Sequence, residues 1–126
     1  MRIILADDDE ELRFILARTL KKEGYNVEEL EDTEALRQRM SQNRNATDAD
    51  INNTILISDV YMPGGNAIEA LADLKTQLSL PFIFITSAKD VDVTEQGMRL
   101  GARAVLSKPV DFDALKSLLK GISTKM

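Results

Sequence analysis

The chain alternates between short apolar runs and longer stretches in which apolar residues recur at helical spacing. Arg2–Ala6 is the first run, β-branched at Ile3 and Ile4, and reads as a strand. An acidic start follows, Asp9–Glu10–Glu11, after which Leu12, Ile15, Leu16 and Leu20 line one face of a helix. Acids at its start and Lys21–Lys22 at its end suit the helix dipole, and Gly24 is a natural stop. Tyr25–Leu30 reads as a second strand, Asp32–Met40 as a short helix with Leu36 and Met40 inward, and Thr54–Ser58 as a third strand. Ala67–Leu78 carries Ile68, Leu71, Leu74 and Leu78 at helical spacing. In Pro81–Ile85 the unbroken run Phe82–Ile83–Phe84–Ile85 predicts a strand buried on both faces. Val91–Leu100 is a helix weakened by Gly97 and stopped by Gly101, and Ala104–Leu106 is a short fifth strand. Asp111 is placed to cap a last helix, Phe112–Leu119, which stops at Gly121.

Five strands alternating with five helices predict an α/β protein whose parallel sheet is covered on both faces. Ser41–Asn53 breaks the pattern: four Asn, two Asp and little period make it a long solvated loop with one helical turn at most. A length of 126 residues makes a single domain over 1–126, and an apolar fraction of 44 % with only 5 % aromatics makes its core mostly Ile, Leu, Val and Ala. Sixteen basic residues against twenty-one acidic give a net charge of −5, which argues against direct nucleic-acid binding. No apolar stretch approaches the roughly 20 residues that span a bilayer. The first residues run straight into Asp7–Asp8–Asp9 without a cleavage site, so the expectation is a soluble cytoplasmic domain.

Composition also narrows the chemistry. Without Cys there is no disulfide, thiolate nucleophile or Cys-ligated zinc, and without His there is no Ser–His–Asp triad and no phosphohistidine on this chain. Carboxylates, hydroxyls, Lys and Arg remain, and carboxylate oxygens select hard cations such as Mg²⁺, Mn²⁺ or Ca²⁺. In a doubly wound sheet, ligands gather where the strands end. Asp7, Asp8 and Asp9 follow strand one, Asp59 follows strand three, Thr86–Ser87 end strand four, and Ser107–Lys108–Pro109 end strand five. Taken singly, these residues suit a helix cap, a turn, a strand-end hydroxyl and a solvated Lys. Together they are four polar exceptions at one end of four apolar strands. Two unit charges about 4 Å apart repel by roughly 4 kcal/mol at an effective dielectric near 20. One Lys cannot offset three carboxylates, so such a cluster raises a pKa or holds a divalent cation. A cation and a Lys would neutralise phosphoryl oxygens while a carboxylate attacks, the arrangement that phosphoryl transfer needs.

Asp7–Asp8, Asp59–Val60–Tyr61–Met62–Pro63, Thr86–Ser87 and Lys108–Pro109, in this order and on these strands, resemble the receiver domain of two-component response regulators. The resemblance covers essentially the whole chain. It implies a flavodoxin-like doubly wound five-stranded parallel sheet of order 2-1-3-4-5 with five helices. It implies that Asp59 is the phosphoacceptor, served by a histidine kinase or a histidine phosphotransfer protein whose histidine supplies the phosphoryl group. It further implies that Asp8, Asp59 and the Tyr61 backbone carbonyl ligate Mg²⁺ (Mn²⁺ as a substitute), with Asp7 acting through water. Lys108 and Thr86 would each meet a phosphoryl oxygen, Ser87 would occupy a position where a small residue is usual, and the bond before Pro109 would be cis.

The chain departs from that family in three places. Val105 stands where the family carries its switch aromatic, three residues before the Lys, and reads as core. Ala67 replaces a common Gly, so Gly64–Gly65 are left to supply backbone freedom. The 51 positions from Asp8 to Asp59 are more than usual, and the Ser41–Asn53 loop absorbs the difference. Tyr61 and Ala88 occupy the positions that gate the water attacking the phosphoryl group.

The implied function is a signalling switch that catalyses only its own phosphorylation and dephosphorylation. Its output partner would read the face made by helix four, strand five and helix five, a face that also serves homodimers in the family. Two alternatives stand beside it. One is a small aspartate-nucleophile phosphatase of the haloacid dehalogenase type, in which Asp7 rather than Asp59 would be essential. The other is a phosphorylation-independent binding module, indifferent to Asp59→Asn and to Mg²⁺.

Overall fold

The computed structural model describes residues 1–42, 53–74, 80–87 and 91–124. Its strands are β1 (Arg2–Ala6), β2 (Asn26–Leu30), β3 (Thr54–Asp59), the two-residue β4 (Tyr61–Met62) and β5 (Gly65–Asn66), β6 (Phe82–Thr86) and β7 (Ala104–Ser107). Its helices are α1 (Glu10–Lys22), α2 (Thr33–Gln42), α3 (Ala67–Ala72), α4 (Val91–Leu100) and α5 (Phe112–Thr124). Five strands form one parallel sheet in the order β2-β1-β3-β6-β7. Set aside the small β4–β5 hairpin and this is the expected 2-1-3-4-5 order, with five helices around it among the described residues.

The sheet divides the core in two. Ile3, Leu5, Ile55, Ile57, Ile83 and Ile85 face α1 and α5. Ile4, Ala6, Leu56, Phe82, Phe84 and Val105 face α2, α3 and α4. This is the alternation that a strand imposes on successive side chains. Because both faces are covered, β3 and β6 are buried from end to end. The edge strand β2 is half-exposed.

Local signals explain most boundaries. Asp9 caps α1 by accepting from the Leu12 N–H, Asp32 caps α2 by accepting from Ala35, and Asp111 caps α5 by accepting from Ala114. The last helix runs beyond the expected stop at Gly121, because Ile122 belongs to the core. Burying an Ile is worth about 2 kcal/mol, more than the roughly 1 kcal/mol that a mid-helix glycine costs. The helix expected over Ala67–Leu78 ends earlier, at Ala72, where the Asp73 N–H bonds the Glu69 and Leu71 carbonyls. Leu74 is half-buried against the core, and Leu78 lies outside the described residues. Of the loop expected over Ser41–Asn53, Ser41 and Gln42 instead finish α2, the Asn53 carbonyl accepts from the Arg2 N–H, and residues 43–52 lie outside the described residues.

Gly97, read as a weakness, is a packing requirement. A Cβ there would stand 2.9 Å from Val105 Cγ2 and 3.1 Å from Phe84 Cδ2. Its absence lets α4 lie directly on β6 and β7. Val105 is buried, as its core reading expects.

Candidate functional site

Strand pairing brings the polar exceptions together. Ala6 is level with Ser58, so the residues after β1 lie beside the end of β3. Asp59 is level with Ile85, one residue before Thr86. Thr86 is level with Ser107, one residue before Lys108. The apolar ladders therefore deliver Asp7, Asp59, Thr86 and Lys108 to one edge of the sheet, from four separate strands.

Carboxylate oxygens of Asp7, Asp8 and Asp59 lie within 4.8 Å of one another. Asp7 and Asp59 are buried and Asp8 is exposed. The Lys108 ammonium donates to Asp59 Oδ2 at 2.8 Å and stands 3.1 Å from Asp7 Oδ2. Asp59 Oδ1 accepts from the Tyr61 N–H at 3.4 Å. Asp7 Oδ1 accepts from the Asp9 N–H at 2.9 Å, whereas Asp7 Oδ2 is buried and has no hydrogen bond. Thr86 is buried at the end of β6, and its carbonyl accepts from the Lys108 N–H. The Lys108–Pro109 bond is cis.

Burial pushes the Asp59 carboxyl above its ordinary range, and the Asp7 charge adds to the rise; the Lys108 hydrogen bond and charge pull the other way without overcoming it. Burial also works against the Lys108 charge, but Asp59 and Asp7 together hold its pKa above the usual lysine value. Among the described residues, one ammonium thus faces three carboxylates. The surplus negative charge, the all-oxygen donor set and Asp7 Oδ2, buried beside the Lys108 charge without a hydrogen bond, fit a hard divalent cation.

Several contacts that frame this cluster carry no periodic signal in the sequence. Arg13, on α1, donates to the Asp7 carbonyl at 2.7 Å and pairs with Glu29 at 3.2 Å. The segment after Asp59 is a hairpin: Tyr61 pairs with Asn66 and Met62 with Gly65. Gly64 and Gly65 have φ of 95° and 126°, so they do supply the left-handed backbone that Ala67 could not. Thr33 is wholly buried and bonds this hairpin, as does Arg37. A Thr at the first position of a helix looks like any other helix start, so only the fold reveals its partner. Tyr61 itself is about half exposed, and Ala88 lies outside the described residues.

Comparison with known proteins agrees with this geometry. The model of the response regulator receiver domain matches residues 3–120. The chain is 36 % identical over 115 residues to the C4-dicarboxylate transport transcriptional regulatory protein DctD of Pseudomonas aeruginosa, covering 90 % of this chain and 23 % of that one. It is 30 % identical over 119 residues to the transcriptional regulatory protein FixJ of Bradyrhizobium diazoefficiens, covering 94 % of this chain and 54 % of that one. It therefore spans about a quarter to a half of the length of these two relatives. Among solved structures, the non-phosphorylated HemR receiver domain from Leptospira biflexa superposes with a TM-score of 0.79 at 26 % identity, covering 97 % of this chain and 93 % of that one.

Proposed function

Since the chain belongs to the response regulator receiver domain family, we propose that it is a phosphorylation-controlled switch whose phosphoacceptor is Asp59. Receiver domains are regulatory switches rather than enzymes acting on metabolites, and the domain here takes in residues 1–126 as one unit. The phosphoryl donor is a histidine kinase or a histidine phosphotransfer protein; the chain has no histidine of its own. An Asp59 oxygen attacks phosphorus, the P–N bond to the donor imidazole breaks, and an acyl phosphate forms on Asp59.

The pair of Asp59 with Lys108 at 2.8 Å, inside a cluster of three carboxylates, is the observation that carries this reading. Lys108 holds Asp59 against its burial and is within reach of a phosphoryl oxygen bonded there. Asp8, Asp59 and the Tyr61 carbonyl would hold Mg²⁺, and Asp7 would act through water. Bound Mg²⁺ supplies positive charge against the phosphoryl oxygens. Thr86 would hydrogen-bond a further oxygen, and Ser87 leaves room beside it. Water attack on phosphorus, gated by Tyr61, breaks the bond to Asp59, releases inorganic phosphate and returns Asp59 to its carboxylate. The signal leaves through the face of α4, β7 and α5.

The experiment is intact-mass analysis after incubation with acetyl phosphate and Mg²⁺. Wild type should gain one phosphoryl group, lose it over time, and gain none in EDTA. Asp59→Asn should gain none under any condition. A wild type that never differs from Asp59→Asn overturns the reading.

A further inference from the structure

The helix α2 contributes nothing to the carboxylate cluster, yet its first turn grips the segment that follows Asp59. The Thr33 N–H donates to the Pro63 carbonyl at 3.0 Å. The Thr33 hydroxyl donates to the Gly65 carbonyl at 3.1 Å, and Arg37 Nη1 reaches the Gly64 carbonyl at 3.4 Å. Three consecutive carbonyls of one hairpin are thus bonded to two residues of one helix. The first amides of a helix have no partner within it, and here one of them is satisfied by the hairpin while Asp32 satisfies another.

Packing tightens the grip. The Thr33 side chain is fully buried. Gly64 packs beside it: a Cβ there would stand in ordinary van der Waals contact, 3.6 Å, with both Thr33 Cβ and the Glu34 amide nitrogen. The hairpin's other end is tied to the sheet, where Val60 N–H bonds the Ile85 carbonyl and Ala67 N–H bonds the Val60 carbonyl. Between these two anchors lies Tyr61, whose N–H bonds Oδ1 of Asp59, the residue just before Val60.

We propose that Thr33 is a positioning residue for the phosphoacceptor site: its buried hydroxyl pins the Gly65 carbonyl and so fixes the hairpin that presents the Tyr61 carbonyl to the cation. This inference rests on the cation site described under the proposed function. Thr33→Val keeps the shape but leaves the Gly65 carbonyl without its buried partner, whereas Thr33→Ser keeps the bond.

The test measures Mg²⁺ affinity by calorimetry in wild type, Thr33→Val, Thr33→Ser and Arg37→Met, with hydrogen exchange of the Tyr61 and Ala67 amides read in the metal-free proteins. Loss of this half-buried hydrogen bond predicts Mg²⁺ binding about threefold weaker and faster exchange in Thr33→Val. Thr33→Ser should stay within about twofold of wild type on the same basis, and Arg37→Met should fall between them. Should Thr33→Val fail to fold, the contrast between Thr33→Ser and Arg37→Met decides the matter. Faster exchange with unchanged Mg²⁺ affinity, or equal losses in the Val and Ser variants, overturns the inference. A wild type that binds no Mg²⁺ instead overturns the cation site itself, and the exchange rates then still report whether Thr33 pins the hairpin.

Discussion

The hairpin after Asp59 and the contact of α4 with the sheet are held by different physics. Hydrogen bonds at the Pro63, Gly64 and Gly65 carbonyls fix the hairpin, and beside it an ammonium lies among carboxylates. At α4 the deciding fact is space: Gly97 leaves no gap between the helix and the side chains of Phe84 and Val105. Substitutions should divide accordingly. The site end responds to charge and to lost donors, the α4 contact to volume.

The largest effect expected is that of Lys108→Met, which strips from two buried carboxylates the ammonium that pairs with both. Breaking a buried pair in this way costs about 3 kcal/mol, read by urea denaturation in EDTA at neutral pH. The loss should shrink on adding Mg²⁺ and at acid pH, where Asp59 carries a proton. A loss unaffected by either would place the cost in packing and erase the contrast.

Gly97→Ala should cost about 1 to 3 kcal/mol through overpacking, and should be indifferent to pH and Mg²⁺. Paired with Val105→Ala, it should cost less than the sum of the two single changes, because one relieves the contact that the other creates. Strict additivity would show that α4 simply moves away.

A gentler effect concerns pH. The native Asp59 carboxyl keeps its proton to higher pH than the unfolded chain does. Unfolding in that window releases a proton, so metal-free stability falls as pH rises from the ordinary carboxylate value through the native one. Asp59→Asn should flatten this slope in denaturation midpoints taken across that range. A slope that persists in the variant assigns it elsewhere.

The smallest effect expected is a gain. Gly121 lies within α5 with nothing near the position of a Cβ. Gly121→Ala should stabilise by about 0.5 to 1 kcal/mol, a rise of a few degrees in melting temperature. Two glycines inside helices thus predict opposite signs for the same substitution.

Much of this was readable along the chain. Runs such as Phe82–Ile83–Phe84–Ile85 announce a strand buried on both sides, and polar residues placed just past such runs meet once the strands pair side by side. Asp7, Asp8, Asp59, Thr86 and Lys108 could be singled out for that reason. Gly97 looked like a defect because helix propensity is local, while its role depends on Phe84 and Val105 from two other elements. Gly121 looked like a stop for the same reason, since the burial of Ile122 is decided by the sheet. Thr33 and Arg13 are not legible along the chain because each bonds a backbone carbonyl, and a carbonyl carries no residue-specific mark.

The outermost strand on one side, β2, bears on behaviour at high concentration. Its Glu28 and Glu29 are joined to Arg39 at 2.7 Å and to Arg13 at 3.2 Å. An open strand margin invites another chain to add itself in register, the first step toward aggregates. An incoming copy aligned there would strip water from both ion pairs, a cost that opposes the pairing. The two bridges therefore serve colloidal solubility as well as tying α1 and α2 to the sheet's margin.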